Sequence, residues 1–396
     1  MTKNSLKNGP DELGYYGEGE SAMGGMAVGE TLMPALHELN LAFEDAIKDK
    51  AFLDEFAYYC KHYIGRPSPL YYAENLSNKL GGAKILFKQE HLNHTGSHKI
   101  TNSLFQVLLA KRMGKKNLIC ESGAGQHYSA TAAVAAKFGI PLIGVMGEVD
   151  IKRVNQNIIK AKHYGAKLKA VPGTLKEAIT DAIKTWITNP DYYYVCGSAV
   201  SSFPFPKIVQ FAQSIIGREI REQSMEQEKK LPDMIIGCVG GGSNFIGSIH
   251  EFLDEPNIKK IGVEAAETAA LTHGTPNIMQ GMKSYMLASS DGSKSLGGSS
   301  LGAGIQYFGV GPQHSYLKDQ GAVTYTSATD KEILNAYKVV AQTEGISSAL
   351  EPMAAAAEVL KQAKGKPKDF IIVLSLCGRG EKDLDTIEEH MGKDFE

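Results

Sequence analysis

Apolar residues along this chain follow two patterns that alternate, one with helical spacing and one made of short continuous runs. Leu32, Leu36, Leu39 and Phe43 recur at helical spacing near the N-terminus. Farther along, runs rich in Val, Ile and Tyr suit strands that are buried on both faces. The predicted strands are residues 84–87, 117–120, 141–146, 167–171, 192–196, 234–239, 260–263 and 370–376. The predicted helices that follow the first are residues 52–63, 100–112, 126–137, 154–164 and 175–186.

Strands separated by helices of this length predict an α/β fold with parallel sheets and right-handed crossovers. Two stretches fall outside this alternation. The first thirty residues are polar and rich in glycine, which predicts an arm that packs on the body or stays mobile. Residues 268–311 are rich in glycine and serine with weak periodicity. So long an irregular stretch is typical of functional surface rather than of a spacer.

Composition narrows the class of protein without changing this picture. Hydrophobic residues make up 43% and charged residues 22% of the 396 residues, as in ordinary globular proteins. The formal net charge of -2 offers no basic field for nucleic acid or a membrane surface. There is no signal-peptide core and no apolar run of the ~20 residues that a membrane span needs. The five cysteines lack a CxxC pair, which predicts free thiols in a reducing cytoplasm and no zinc site.

A glycine loop follows one of the predicted strands, where Gly240, Gly241 and Gly242 lead into a helix that is predicted from about Ser243. Glycines let backbone N–H groups approach an anion, and a helix start adds partial positive charge. The loop lacks the lysine of a P-loop and the GxGxxG spacing of a dinucleotide site, so a monophosphate fits it best. A plain tight turn between strand and helix is the alternative.

Lys99 ends the polar run Asn93-His-Thr-Gly-Ser-His-Lys99, just before a predicted helix. A cation at a helix N-terminus has the wrong sign for the helix dipole, and this favours the neutral, nucleophilic amine that Schiff-base chemistry requires. His98 could add a hydrogen-bond donor to a phosphate. A solvated surface lysine is the alternative interpretation.

Two further clusters lie at predicted strand ends, where ligands of parallel sheets bind. Glu121 precedes a Gly-Ala-Gly loop whose N–H groups could hold a substrate carboxylate, with Glu121 available for proton transfer. A solvated loop glutamate is the alternative. Cys377 follows the last predicted strand, where a neutral side chain could meet a ring nitrogen without protonating it. A buried structural cysteine is the alternative there.

These four clusters, in this order and spacing, resemble the tryptophan synthase β subunit family, whose members are fold-type II pyridoxal-phosphate (PLP) enzymes. The resemblance extends over nearly the whole chain. It includes the motifs Gly24-Gly-Met26, Glu30-Thr-Leu-Met-Pro-Ala-Leu36, Gly65-Arg-Pro-Ser-Pro-Leu70, Leu109-Ala-Lys-Arg-Met-Gly114, Gly311-Pro-Gln-His314, Glu344-Gly-Ile346 and Ala349-Leu-Glu351. It implies two interlocked three-layer α/β domains with mainly parallel sheets. The first would comprise residues 1–64 and 98–215, with a mobile subdomain at 114–198, and the second residues 65–97 and 216–396.

The resemblance also implies a role for each matching residue. Lys99 corresponds to the Schiff-base lysine and Glu121 to the acid/base glutamate. The cofactor would be bound by His98, Lys99, Ser198, Gly240, Gly241, Gly242, Ser243, Asn244, Glu351 and Cys377. The substrate carboxylate would be bound by Ser122, Gly123, Ala124, Gly125, Gln126 and His127. A monovalent cation, Na+ or K+, would bind the backbone of Gly240, Tyr307 and Gly309.

Cys377 stands where serine is usual in the family, facing the pyridine nitrogen of the cofactor. A neutral partner there leaves the ring unprotonated, which favours β-elimination over transamination. The residues that correspond to the family's site-closing contacts and acceptor pocket are Arg153, Leu175, Gln280 and Gln306. Several other departures from the family lie at or near these residues. Gln306 replaces an aspartate that pairs with an arginine, here Arg153, and an Arg–Gln hydrogen bond is weaker than an Arg–Asp pair. In addition, an aromatic residue is replaced by Gln280, a proline by Phe308 and a glycine by Tyr128.

The implied reaction is β-replacement, in which L-serine passes through an aminoacrylate and condenses with indole to give L-tryptophan. The departures favour a second hypothesis, a diverged β-replacement enzyme that uses a substituted indole, another nucleophile or another β-leaving group. A non-catalytic paralogue is the third hypothesis, and the presence of Lys99, Glu121 and the glycine loop argues against it. The resemblance also implies a cytoplasmic homodimer, with the α subunit of tryptophan synthase as a further partner.

Overall fold

The computed structural model describes residues 5–152 and 155–394. Within these ranges the strands are β1 (Tyr15–Tyr16), β2 (Met23–Gly24), β3 (Leu70–Tyr72), β4 (Lys84–Lys88), β5 (Asn117–Glu121), β6 (Leu142–Gly147), β7 (Lys167–Val171), β8 (Tyr192–Tyr194), β9 (Met234–Cys238), β10 (Lys259–Ala265), β11 (Thr275–Met279), β12 (Met282–Met286), β13 (Thr324–Ala328) and β14 (Ile371–Ser375). The helices are α1 (Met33–Ala46), α2 (Lys50–Tyr59), α3 (Glu74–Leu80), α4 (Lys99–Arg112), α5 (Gln126–Phe138), α6 (Glu148–Ile151), α7 (Asn155–His163), α8 (Leu175–Thr188), α9 (Phe205–Gln213), α10 (Ile215–Glu228), α11 (Ser243–Ile249), α12 (Ala270–His273), α13 (Pro312–Asp319), α14 (Asp330–Glu344), α15 (Leu350–Gln362) and α16 (Leu384–Met391). The predicted α/β fold is confirmed, and the predicted strands match observed ones to within a few residues.

The chain divides into two compact units, each assembled from separate stretches of sequence. The first unit comprises the residues up to Ala27, Ser68–Leu92 and the chain from Ser198 onward. The second unit comprises Val28–Pro67 and Asn93–Gly197. The domain limits expected from the family resemblance stay a prediction.

The first unit is built on a six-stranded sheet in the order β13-β10-β9-β14-β4-β3. All neighbouring pairs are parallel except β3 with β4. Successive side chains point to opposite faces, so Ile236 and Leu374 join one hydrophobic cluster while Ile235 and Val373 join another. Because the strands are parallel, the glycine loop after β9 and Cys377 after β14 emerge from the same edge of the sheet.

The second unit is built on a fully parallel four-stranded sheet in the order β7-β6-β5-β8. Its long buried helix α4 carries Phe105, whose ring is packed edge-on against Phe43, Phe52 and Phe56 at centroid distances of 5.2 to 6.0 Å. The helical spacing of apolar residues near the N-terminus is therefore explained by packing against α4. This helix begins at Lys99, about two turns before Phe105.

The expectation that residues 268–311 are irregular throughout is wrong for part of that stretch. Strands β11 and β12 form an antiparallel hairpin, and β12 also pairs with β2 of the N-terminal arm. The turn residues Gln280 and Gly281 both have positive φ, 47° and 76°, as the tight turns that match the twist of a hairpin require. The arm thus packs on the first unit through β1 and β2.

Three further structural findings concern membrane spans, cysteines and metal sites. Among the described helices, none combines the length and the apolar character that crossing a bilayer requires. All five cysteines are buried free thiols, as the sequence predicted. The described residues contain no cluster of three or more His, Cys, Asp or Glu side chains arranged to hold a metal ion.

Candidate active site

The glycine loop lies between β9 and α11, and its shape depends on glycine at two positions. Gly242 has φ of 93°, a conformation that side-chain-bearing residues rarely adopt. A Cβ atom on Gly241 would lie 1.9 Å from the hydroxyl oxygen of Ser198, so that hydroxyl rests directly on the loop backbone. The first unit therefore brings Ser198 together with the glycines, as the resemblance implied.

Asn244, in the first turn of α11, forms a hydrogen bond through only one of the two polar atoms of its side-chain amide, within the described residues. Its Oδ1 accepts a hydrogen bond from Ser375 Oγ at 3.0 Å, at the end of the neighbouring strand β14. Its buried Nδ2 has no hydrogen-bond partner among the described residues. A buried donor of this kind calls for an acceptor that a bound ligand can supply.

Cys377 lies beside Cys238 at the same edge of the sheet, and both side chains are about 5% exposed. Their sulfur atoms are 3.6 Å apart. Cys377 is therefore buried at a strand end, and a second buried thiol, Cys238, lies against it.

Glu351 begins a buried cluster of charges at the start of α15. Its Oε1 accepts hydrogen bonds from the Gly304 N–H at 2.7 Å and from Lys382 Nζ at 2.9 Å. Lys382 also binds Asp383, and this pair of carboxylates raises the pKa of Lys382. Burial opposes ionisation of Glu351, but the Lys382 ammonium outweighs it and holds the pKa of Glu351 below its usual value. Oε2 of Glu351 is buried and has no hydrogen-bond partner within residues 5–152 and 155–394.

In the second unit, Lys99 and Glu121 are linked through the backbone of one residue, Gly197. Lys99 Nζ donates a hydrogen bond to the Gly197 carbonyl, and the Gly197 N–H donates to Glu121 Oε1 at 3.2 Å. Lys99 is the first residue of α4 and Glu121 is the last residue of β5. The fold thus brings both candidate catalytic residues to the same place from positions that are 98 and 76 residues from Gly197.

Burial dominates the electrostatics of Glu121, which is 5% exposed. It raises the pKa of Glu121 to about 7, against the opposing effects of hydrogen bonds and the nearby Lys99. A carboxyl group with this pKa exchanges protons readily at neutral pH, which suits general acid and base catalysis.

Residues 122–125 connect β5 to α5, and Gln126 and His127 are the first two residues of α5, as the sequence predicted. Gly125 at the helix start has φ of 73°, and Leu175 packs near Gly123. The His127 ring, however, is buried in the protein interior, where its Nε2 donates a hydrogen bond to the Val195 carbonyl at 2.8 Å. Burial lowers the pKa of His127 to about 3, so the ring is neutral at physiological pH.

The residues assigned to closure and the acceptor pocket are only partly brought together. Gln280 Nε2 donates to the Tyr307 hydroxyl at 3.3 Å, and the Tyr307 and Phe308 rings lie 4.4 Å apart. Gln306 Nε2 donates to the Gly298 carbonyl at 3.1 Å. Arg153 lies outside the described residues. The cation site at Gly240, Tyr307 and Gly309 stays a prediction.

Sequence reasoning missed three contributors to these clusters: Gly197, Lys382 and His314. Gly197 acts through its backbone, which leaves no signal in residue type. Lys382 follows Cys377 in the same polar run, and a lysine between two acidic residues is a weak signal of a charge cluster. His314 was noted only as part of a family motif, although the structure places its ring against Gly242.

Comparison with known proteins agrees with this geometry. A family model described as "Pyridoxal-phosphate dependent enzyme" matches residues 62–378, well over half of the chain. The chain is also 48% identical to the tryptophan synthase beta chain of Allorhizobium ampelinum, in an alignment 401 positions long that covers 98% of each protein. The chain belongs to the tryptophan synthase β-chain family. As a member of that family it is a PLP-dependent enzyme of the lyase class.

The residues present fit the cofactor of the tryptophan synthase β-chain family. The glycine loop offers backbone N–H groups at a helix start, which suits a phosphate. Asn244 and Glu351 each keep one buried polar atom without a hydrogen-bond partner in the described protein. In the second unit, Lys99 at the start of α4 carries an amine of the kind that bonds to this cofactor. In the first unit, Cys377 is a buried neutral side chain that follows β14.

Proposed function

We propose that this chain condenses L-serine with indole to form L-tryptophan by PLP-dependent β-replacement. The observation that carries the proposal is the convergence of Lys99 and Glu121 on Gly197, which pairs a nucleophilic amine with a carboxyl group of near-neutral pKa. The family to which the chain belongs, and the name of its relative, support this reaction over others of the same cofactor.

When bound, PLP supplies an aldehyde that bonds to amines and a ring that withdraws electrons from the substrate α-carbon. Lys99 Nζ is the protein amine that we propose for this bond, and it also accepts the α-proton of serine. Its hydrogen bond to the Gly197 carbonyl orients the amine. Cys377 would place an uncharged thiol against the ring nitrogen and leave that nitrogen unprotonated.

We assign the proton transfers at the serine β-carbon to Glu121. In its protonated form the carboxyl group donates a proton to the departing hydroxyl, which leaves as water. The resulting carboxylate then accepts a hydrogen bond from the N–H of the incoming indole and takes up the proton that indole C3 loses after bonding to the β-carbon. A pKa of about 7 makes both forms available at neutral pH. The Gly197 N–H holds the carboxyl group in position for both transfers.

The remaining candidate residues bind and orient. We propose that the backbone of residues 122–127 binds the serine carboxylate at the start of α5, where N–H groups lack intrahelical acceptors. His127 would contribute to carboxylate binding through its backbone, because its ring is hydrogen-bonded to the Val195 carbonyl. The glycine loop, Ser198, Asn244 and His98 would bind the cofactor phosphate, and Glu351 would lie near the cofactor ring.

A related β-replacement with a different acceptor is the second candidate. It is favoured by Gln280, whose amide is bonded to the Tyr307 hydroxyl and adds polarity where the family usually has an aromatic residue. Gln306, which donates a hydrogen bond to the Gly298 carbonyl, is a neutral residue where the family usually has an aspartate that pairs with an arginine. The expected domain limits, a homodimer in the cytoplasm, an α-subunit partner and the Na+ or K+ site belong to the same proposal.

The test is a spectral titration of the purified chain with PLP, followed by L-serine and then indole, with products identified by mass. We expect a visible cofactor band that shifts with serine and returns as tryptophan accumulates. The Lys99→Met variant is the matched control and should bind PLP without the band or the product. If serine shifts the cofactor band, and indole itself does not reverse the shift but a substituted indole or a thiol does, the second candidate replaces the first. A folded wild-type chain that shows no band with PLP would overturn the role of Lys99.

A further inference from the structure

Two residues of the segment Gly311–His314 form hydrogen bonds to two consecutive carbonyl groups of the glycine loop. The Gly311 N–H donates a hydrogen bond to the Gly241 carbonyl at 3.1 Å. His314 Nε2 lies 2.8 Å from the Gly242 carbonyl oxygen, which also accepts the first helical hydrogen bond of α11, from the Ile246 N–H. Both carbonyls that flank the last glycine are therefore held from outside the loop.

The partners of His314 determine which ring nitrogen carries the proton. A carbonyl oxygen can only accept, so Nε2 must donate to Gly242. On the other side of the ring, Nδ1 lies 2.9 Å from the Tyr325 hydroxyl, which therefore donates to it. Burial lowers the pKa of His314 to about 4, so the imidazole stays neutral and keeps this one tautomer at physiological pH.

The imidazole ring also has little freedom to move. It is fully buried and stacks on Phe245 with an interplanar angle of 3° and a centroid distance of 5.9 Å. The ring also lies against Gly242, since a Cβ atom added to Gly242 would lie 2.2 Å from both Cδ2 and Nε2 of His314. The ring therefore packs on the bare backbone of the loop, and both its plane and its protonation are set by neighbours.

Holding a carbonyl also sets the direction of the next N–H, because the two point to opposite sides of a planar trans peptide. The Gly241 and Gly242 carbonyls point toward Gly311 and His314, so the N–H groups of Gly242 and Ser243 point the other way. We propose that His314 is a positioning residue for the cofactor phosphate, which it serves by fixing the direction of the Gly242 and Ser243 N–H donors. This proposal rests on the assignment of the glycine loop to the cofactor phosphate.

The experiment compares PLP binding and the phosphorus-31 NMR signal of bound PLP in the full-length wild type and in His314→Phe. Phenylalanine keeps a ring on Phe245 but removes both nitrogen atoms. We expect PLP affinity to fall about tenfold or more, and the phosphate resonance to shift or broaden, because the donors lose their fixed direction. Tyr325→Phe, which leaves the tautomer unspecified, should show a smaller change of the same kind. His314→Gln, which restores a donor, should recover most of the affinity.

A matched control separates positioning from general loss of stability. His250→Phe makes the same exchange at a half-buried histidine of the first unit, and it should leave PLP affinity and the phosphate resonance at wild-type values. The melting temperature of each variant without PLP should also be measured. An unshifted resonance and an affinity within twofold of wild type in His314→Phe would overturn the inference. A wild type that binds PLP normally but forms no tryptophan would instead contradict the proposed function and leave this inference standing.

Discussion

The phenol ring of Tyr128 fills the space that a side chain at Gly144 would occupy. A Cβ atom added to Gly144 would lie 2.2 Å from the ring carbons Cδ2 and Cε2, so a large residue on α5 is matched by the smallest residue on β6. Tyr128 is fully buried in the second unit, and its hydroxyl has no hydrogen-bond partner among the described residues. The ring thus serves core packing, and its bulk is no argument for an altered acceptor.

Replacing Tyr128 by phenylalanine should stabilise the protein. The substitution removes a buried hydroxyl that has no partner and keeps the ring against Gly144, so we expect the free energy of unfolding to rise by about 1 kcal/mol. Denaturant unfolding measures this change. Tyr63→Phe is the matched control, because its hydroxyl donates to the Ala133 carbonyl at 3.0 Å and its loss should destabilise or have no effect. Acceptor preference should be unchanged in Tyr128→Phe, and a changed preference would mean that the hydroxyl reaches the acceptor pocket.

Replacing Glu121 by glutamine should remove a pH-dependent step. Because burial raises the pKa of Glu121 to about 7, the proton needed by the departing serine hydroxyl is present below that pH and is lost above it. The rate of hydroxyl loss in the wild type should therefore fall as the pH rises through about 7. Glu121→Gln should be slower by roughly 10²- to 10⁴-fold and show no such limb.

Stopped-flow mixing with serine across a range of pH measures this dependence. Glu148→Gln, at an exposed glutamate that begins α6, is the control and should retain the wild-type profile. A limb near pH 7 that persists in Glu121→Gln would assign the titration to another group.

Replacing Cys377 by serine should preserve the reaction. Thiol and hydroxyl are both neutral, so each leaves a ring nitrogen unprotonated, and the main loss is the 3.6 Å contact with Cys238. We expect kcat/KM for serine to stay within about threefold of wild type. Cys238→Ser removes the same contact from the other side and controls for packing. A loss of product formation in Cys377→Ser alone would show that the sulfur has a role beyond neutrality.

Replacing Lys88 by methionine should severely destabilise the first unit. Lys88 Nζ is fully buried and binds Glu219 Oε2 and the Ser68 carbonyl, both at 2.6 Å. Its removal deletes the ammonium that binds the buried Glu219 carboxylate and the Ser68 carbonyl, at a cost of about 3–5 kcal/mol. Thermal and denaturant unfolding measure the loss.

The double variant Lys88→Met with Glu219→Leu should recover much of this stability, since it removes both charges. Lys50→Met breaks an exposed pair with Asp54 and should have little effect. If Lys88→Met were as mild as Lys50→Met, the buried pair would not be important for stability.

The alternation of strands and helices was predictable because burial on both faces of a sheet demands continuous apolar runs, such as the one in β9. The glycine loop was predictable for a related reason, since three glycines between a strand and a helix have few other uses. The hairpin of β11 and β12 was missed, because an alternating pattern exposed on one side is a weaker signal than a buried run. In β11, Pro276 and Asn277 weaken the strand signal further, because both residue types are rare in strands.

The sequence by itself indicated the α/β alternation, with strands β4 to β10 and β14, the candidate residues Lys99 and Glu121, and the family. Only the tertiary structure decided that both residues meet at Gly197, that His314 supports Gly242, and that Tyr128 packs on Gly144. Local patterns record what each residue needs, such as burial or a turn, because these needs act over a few neighbouring positions. Which distant residue meets that need depends on how strands and helices pack, and contacts between residues some 70 to 100 positions apart leave no periodic trace in the chain.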